Sequence, residues 1–486
     1  MKDRTPNELA DAYSRPFRLA ELFTLAYWRI WYARECGGRE TLRLAIPIII
    51  SWSSVTVMTI TDRLCLAWYG QTEMNASFQA SCLFWGLICF PQGIGVFVNT
   101  FVAQYYGANQ KKRIGSVIWQ GVFIGLSFGL LFIAATPFIE PFFRAIGQSA
   151  ELAALEKAYW KYMALAAVAS LGLESLQSFF NGIRETKLVM KLTILGFAVN
   201  MVLDPILIFG VNGRLELGVE GAAIATAIAM WIKFAAFVYY TVKRDRNGEY
   251  GIRSSLKLNF HEMKRLFSFG SMSALQTSAE QWFYTLFVLV MGWFGEEASA
   301  ATAIAYNMNS LLYMPAIGFG VATSTIVGNV VGAGRQELVG RATRTAMALA
   351  SVVAGVFSIL FLTVPEFFVN IYTMREPETF AATRPLATNI LRIVGIYLVA
   401  DAYNLILASA LRGAGDARFI MIATFAVVAS IVVAMFGGVF GFGLGVYWCW
   451  ALQVTYLLVN ITVFGLRLRS GKWRDKGLVE TNANLV

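Results

Sequence analysis

Five stretches of this chain contain no charged residue: Met74–Gln110, Ile114–Ile139, Ala298–Gly334, Thr345–Pro365 and Phe419–Leu466. A helix needs about 20 apolar residues to cross roughly 30 Å of hydrocarbon, and each run is long enough. Inside lipid every backbone N–H and C=O must be satisfied internally, which leaves helices or a closed barrel. Barrel strands alternate polar and apolar residues over about ten positions. These runs do not alternate, so they are read as helices. The last run is divided by Gly437, Gly438, Gly441, Gly443 and Gly445 into two spans and a tight turn.

Composition agrees. Of 486 residues, 57% are hydrophobic and 14% charged, whereas a soluble domain carries about 25% charged residues. Hydropathy places twelve spans near 42–62, 76–105, 115–136, 155–180, 189–210, 219–242, 263–291, 299–330, 342–364, 386–410, 419–437 and 443–465. The expected fold class is therefore an all-α polytopic membrane protein. Residues 1–40 form an N-terminal segment with no cleavable-signal pattern. In it Leu19, Leu22, Leu25 and Trp28 recur at helical spacing beside Arg15, Arg18 and Arg29. That spacing suits an interfacial helix, and a partly ordered tail fits equally well. The five cysteines form no CxxC pair, and Cys65, Cys82, Cys89 and Cys449 lie in apolar sequence, so they read as buried thiols.

Lys and Arg set the orientation. Those in the loops after spans 2, 4, 6, 8 and 10, in the N-terminal region and in the tail amount to 31 of the 40 in the chain, all on one side of a twelve-span protein. Both termini are thus expected in the cytoplasm, in a multi-pass protein of the inner (plasma) membrane. The net charge of +10 follows from this bias and implies no nucleic-acid partner, because no polar domain is available to display a basic face. A weak internal repeat accompanies the topology. At an offset of 225, Gly93, Gly95, Val96, Thr100, Val102, Gly107, Ala108 and Gly115 recur as Gly318, Gly320, Val321, Thr325, Val327, Gly332, Ala333 and Gly340. Gly182 and Met190 recur as Gly413 and Met421 at an offset of 231. Two six-span halves of equal topology follow, related by an axis along the membrane normal. The divisions expected are 41–242, a cytoplasmic linker 243–262, 263–466 and a tail 467–486.

Charge is expensive within the spans, and five acids stand there: Asp62, Glu174, Asp204, Glu280 and Asp401. Intramembrane acids face a bundle interior or a wet cavity. Asp62 has Arg63 beside it, which also allows a local ion pair at the interface. Asn200 lies one turn before Asp204, so the two share a helix face, and a role in bridging helices is the alternative. Glu280 and Asp401 interrupt apolar sequence, with Asn404 close to Asp401; Glu174 reads equally as a scaffold residue. Such carboxylates can take a proton or a sodium ion, with Asp, Asn and Thr oxygens as hard ligands, or can pair with a cationic organic molecule. Pro47, Pro91, Pro205 and Pro315 interrupt candidate helices. Enzyme signals are poor: the sole histidine is His261, in the linker, and no HExxH, GxSxG or GxxxxGK[ST] pattern occurs. Neither an enzyme nor a cofactor is expected.

The motifs resemble those of the multidrug and toxic compound extrusion (MATE) family, specifically its bacterial multidrug-efflux members, over about residues 40–466. Thr61-Asp62-Arg63 through Gly70 is similar to that family's Asp-Thr…Gly pattern. Gln104-Tyr105-Tyr106-Gly107-Ala108 and Val327-Gly328-Asn329-Val330-Val331-Gly332-Ala333-Gly334 resemble its paired cytoplasmic motifs. Asp401-Ala402-Tyr403-Asn404 with Leu411-Arg412-Gly413-Ala414-Gly415-Asp416 resembles its tenth-span region, Asn404 standing where Gln is common. The resemblance implies a V-shaped pair of six-helix lobes that open alternately, exchanging amphipathic organic cations or drugs for Na⁺ or H⁺ and working as a monomer among membrane lipids. It implies an amino-lobe cation site at Asp62, Asn200, Asp204 and Thr226 with Ala222 alongside, and a carboxyl-lobe site at Glu280 and Asp401, near Asn404. Na⁺ ligands would come from Asp62, Asn200, Asp204, Glu280 and Asp401. The other readings are a flippase for lipid-linked saccharides or another amphiphile, and a channel or non-transporting receptor.

Overall fold

The computed structural model describes residues 25–210, 216–373 and 383–479, and no residue among them lies in a sheet. The helices are α1 (Leu25–Ala33), α2 (Gly38–Tyr69), α3 (Gln71–Gly107), α4 (Ile114–Ala145), α5 (Ala150–Gly182), α6 (Thr186–Phe209), α7 (Gly218–Arg244), α8 (Phe260–Trp293), α9 (Glu296–Gly332), α10 (Val339–Thr363), α11 (Pro365–Thr373), α12 (Thr383–Ala414), α13 (Ala417–Phe436) and α14 (Val446–Ser470). Eleven of them are long and apolar enough to cross a membrane. The twelfth long helix is α8, whose 34 residues include Lys264, Arg265, Gln276, Glu280 and Gln281. Each of the twelve expected spans coincides with one long helix. Leu130, Leu131, Val352, Ile396 and Val433 stand exposed along them, which is tenable where the surroundings are lipid rather than water.

Prolines 47, 91, 205 and 315 lie inside α2, α3, α6 and α9. The glycine cluster breaks the last long run as expected. After α13 comes a π-helical turn at Gly437–Gly441, and Gly443 takes φ +64°, a left-handed conformation open to glycine at no steric cost. At the N-terminus α1 occupies part of the candidate interfacial helix; Arg15, Arg18, Leu19 and Leu22 lie outside the described residues. Cys82 corrects the reading of the thiols: it is exposed, whereas Cys36, Cys65, Cys89 and Cys449 are buried. Apolar sequence around a residue does not separate the core from the lipid face.

The repeat reappears as reciprocal contacts. Helices α3 and α9 both have 37 residues, and both are followed by a 3-10 turn, Lys111–Arg113 and Gln336–Leu338. Gln104 donates from Nε2 to the Gly413 carbonyl at 2.9 Å, and Asn329, 225 residues later, donates from Nδ2 to the Gly182 carbonyl at 3.2 Å. A methyl at Gly107 would fall inside the Asn329 carbonyl, and one at Gly332 inside the Gln104 carbonyl. Two helix ends therefore touch backbone to backbone, and the glycines are there because a side chain would hold them apart.

This seam closes the end of the bundle that carries most of the basic residues. Arg184 bridges Glu40, at 2.5 Å, and Asn329, at 3.1 Å. Arg335 forms a two-point pair with Glu35, at 2.6 and 2.7 Å. The tail crosses the same end: Leu478 N donates to Gln104 Oε1 at 2.6 Å, Arg265 donates to the Leu478 carbonyl, and Trp473 is buried. The segment between α7 and α8 is also docked. Buried Asp245 accepts from Tyr250 N and Ile252 N, both at 2.7 Å, while Trp119 Nε1 donates to the Ile252 carbonyl at 2.8 Å.

Candidate functional site

A cavity opens among α2, α3, α5 and α7, and helical periodicity explains its wall. Trp52, Val55, Thr59 and Asp62 line it from α2; Gln92 and Asn99 from α3; Ser170, Glu174, Gln177 and Asn181 from α5; Thr226, Met230 and Lys233 from α7. Positions three or four apart share a helix face, so each helix presents one polar stripe. From the other half of the chain, Val321, Ser324, Ser409 and Arg412 contribute. Asn181 and Arg412 directly precede Gly182 and Gly413 of the seam, so the deep end of the cavity abuts the closed end of the bundle. The cavity encloses about 1700 Å³ between atoms, its open mouth included.

Four of the five amino-half residues expected at a cation site come together. Asn200 and Asp204 are fully buried one turn apart on α6, and Asn200 Nδ2 donates to Asp204 Oδ1 at 3.2 Å and to Thr226 Oγ1 at 3.3 Å. Asp62, from α2, sits against Asp204, Asn200 and Thr226. Three oxygens in this cluster are buried with no hydrogen-bond partner: Asp62 Oδ1, Asn200 Oδ1 and Asp204 Oδ2. Arg63 does not pair with Asp62; its guanidinium lies over the Phe78 ring, 5.2 Å from the centroid. Ala222, the fifth residue, packs with Cys65, Leu66 and Ile208 one turn before Thr226. Two carboxyl groups and an amide oxygen are short of donors here, a chemistry suited to a cation or a proton, and Asp62 and Thr226 of the cluster line the cavity while Asn200 and Asp204 lie behind its wall. Leaving such groups buried and unpaired costs about 1–3 kcal/mol each.

The carboxyl-half residues form a separate cluster. Glu280 Oε1 accepts from Gln276 Nε2 at 3.1 Å and from the Tyr456 hydroxyl at 3.4 Å, and Arg412 Nη2 donates to Gln276 Oε1 at 3.0 Å. Asp401 sits against Asn309 and within electrostatic range of Glu280. The hydroxyls of Tyr306 and Tyr397, in the same neighbourhood, are buried without partners. Asn404 is buried, with its Oδ1 unpartnered; the structure gives it no hydrogen bond to either carboxylate. None of Glu280, Asp401 and Asn404 belongs to the wall of the large cavity.

Besides Asp62, Arg63 and Arg412, two further charged residues line that wall, Glu174 and Lys233. Each is the lone charge in the middle of its helix. The signal that could have found Lys233 is its spacing from Thr226 and Met230, which puts all three on one face.

Comparison with known proteins places the fold. The MatE family model matches residues 47–206 and 273–436. A "Probable multidrug resistance protein NorM" of Burkholderia mallei (strain ATCC 23344) is 28% identical over 385 residues, 79% of this chain and 82% of that one. A protein of the same description from Bradyrhizobium diazoefficiens is 27% identical over 432 residues, 88% and 87% of the two chains. Among solved structures, a MOP superfamily transporter from Pyrococcus furiosus Vc1 superposes with TM-score 0.80 at 23% identity, covering 89% of this chain and 95% of that one. A MATE family transporter of the MOP superfamily, described as in its outward-facing conformation, gives TM-score 0.81 at 22% identity over 89% and 96%. The fold is thus the V-shaped twelve-span fold of these multi-pass transporters.

Proposed function

Because the chain belongs to the MatE family of membrane transporters, we propose that it is a secondary antiporter that exports amphipathic organic cations in exchange for Na⁺ or H⁺. It is read as a monomer in the inner membrane, with both termini cytoplasmic, lobes at 41–242 and 263–466, and the segment 243–262 joining them. The observation that carries the reading is the Asp62–Asn200–Asp204–Thr226 cluster, which holds unpartnered oxygens and reaches, through Asp62 and Thr226, a cavity closed at its basic end. With that end cytoplasmic, the cavity faces outward, where an entering ion meets the carboxylates first.

Coupling requires the ion to bind the two lobe arrangements unequally; equal binding shifts nothing however tight it is. Residues from α2, α6 and α7 all contribute to the cluster, so its oxygens converge only while those helices keep this packing. A cation held among them favours one arrangement, and its loss releases the alternative. Glu280 and Asp401 form a second carboxylate locus, available to the coupling ion in the other lobe.

The test is efflux of an organic cation from proteoliposomes under separately imposed sodium and proton gradients. Saturable transport driven by at least one of the two supports the antiporter. Passive, unsaturable flux would indicate a channel, and transport of a lipid-linked saccharide with no response to either gradient would indicate a flippase.

A further inference from the structure

The middle of the cavity wall holds one acid and one base that the ion cluster does not use. Glu174 Oε1 accepts a single hydrogen bond from Gln92 Nε2, at 3.1 Å. Lys233 is 6% exposed, and its stem lies along α6, with its Cδ 3.2 Å from where a methyl on Gly196 would stand. Among the described residues its ammonium makes no hydrogen bond or ion pair, and Glu174, on the same cavity wall, is the charge within electrostatic range of it. Gly95 lets α3 and α5 pack closely behind Glu174: a methyl there would lie 2.7 Å from the Glu174 Cβ. Lys233 is seven residues beyond Thr226 on α7, about 10 Å along the helix. The tier is therefore distinct from the Asp62 cluster and lies deeper.

Resting on the antiporter reading, we propose that Glu174 is a second substrate-binding carboxylate and that Lys233 is its resident counter-ion, which an incoming organic cation displaces. An uncompensated charge at membrane depth is costly; Lys233 supplies the compensation while the cavity is empty. Its stem is long and flexible, and no hydrogen bond fixes its ammonium, so it can withdraw along α6. An organic cation then takes its place beside Glu174. Lys233 in this way sets how strongly a cation must bind in order to load.

The experiment is equilibrium binding of tetraphenylphosphonium to the purified full-length protein in nanodiscs, with triphenylphosphine oxide as the uncharged analogue. Charges within about 10 Å at an effective dielectric constant near 20 shift an equilibrium by about tenfold. Lys233→Gln is therefore expected to tighten tetraphenylphosphonium binding about tenfold and Glu174→Gln to weaken it about tenfold, with the oxide unmoved in both. In Glu174→Gln/Lys233→Gln the gain from removing the lysine should largely vanish, because no carboxylate is left to be freed. Three results would overturn the proposal: a gain from Lys233→Gln that persists in full beside Glu174→Gln, which would make the lysine a general repulsive charge; equal losses in both single variants with lowered thermal stability, which would make the pair purely structural; and single variants that bind like the unmodified protein. Binding and gradient-driven efflux by the unmodified protein with any of these results would remove this inference alone. No binding of the cation by the unmodified protein would overturn this inference and the antiporter reading together.

Discussion

Asp62 and Asp204 bring two carboxyl groups into one buried cluster, and the hydrogen-bonding neighbours they have are an amide and a hydroxyl rather than a base. Removing either carboxyl group takes away an oxygen pair that a cation or a proton would use. Asp62→Asn and Asp204→Asn are each expected to insert and fold normally while gradient-driven efflux falls at least about tenfold, since the ion then distinguishes the two lobe arrangements less; unchanged efflux with either variant would remove the amino-half site. For the second locus, Glu280→Gln and Asp401→Asn should each abolish gradient-dependent efflux with membrane expression intact. Retained efflux in both, and in the double variant, would confine coupling to the amino half. At this scale the sequence was legible where a helical repeat aligned polar residues, as with Asn200 and Asp204, and where motifs carried a family resemblance. For Glu174 it offered a wet cavity and a scaffold role equally, and it assigned Lys233 to no wall. A lone charge in an apolar helix states that it avoids lipid, but only the packing of α5, α6 and α7 decides which wall it joins.

Between helices, the seam at Gly107 and Gly332 is the most constrained contact. The sequence showed Gly107 and Gly332 as a matched pair at the 225-residue offset; the reciprocal approach of two helix ends to each other's carbonyls shows why both are glycine. Gly332→Ala should therefore pry α3 and α9 apart and populate an arrangement open at the basic end. The measurement is thiol labelling of a cysteine introduced at Ser324, on the deep wall of the cavity, by a membrane-impermeant reagent added on the basic side. Labelling should rise several-fold over the same cysteine in the unmodified background; no rise would show that the seam does not gate. Gln104→Leu leaves the Gly413 carbonyl and the Leu478 N–H without their partner, at about 1–3 kcal/mol for each buried group left unsatisfied. It should lower the thermal unfolding midpoint and free the tail to limited proteolysis. The docked tail, the packed segment after α7 and the short helix α11 were invisible in advance, because each is too short or too polar to carry a hydropathy signal and is held by tertiary contacts.

For the molecule as a whole, the five uncharged runs placed six spans and hydropathy the other six, and the basic bias and the offset repeat were enough to suggest two halves of equal topology. Placement of the cavity was not available from those patterns. It lies mostly against the amino half, touching the other half only at Val321, Ser324, Ser409 and Arg412, and Glu280 and Asp401 stand apart from it. On the proposed antiport, that asymmetry would make the amino-half cluster the place where substrate and ion compete most directly. The central claim is thus tested by measuring ion release on substrate binding in nanodiscs, with radioactive sodium and a pH indicator read in parallel while tetraphenylphosphonium is added. The account predicts that the unmodified protein releases Na⁺ or H⁺ in proportion to the cation bound, and that Asp62→Asn/Asp204→Asn releases markedly less per cation. Substrate binding that releases neither ion, or releases as much from the double variant, would contradict it.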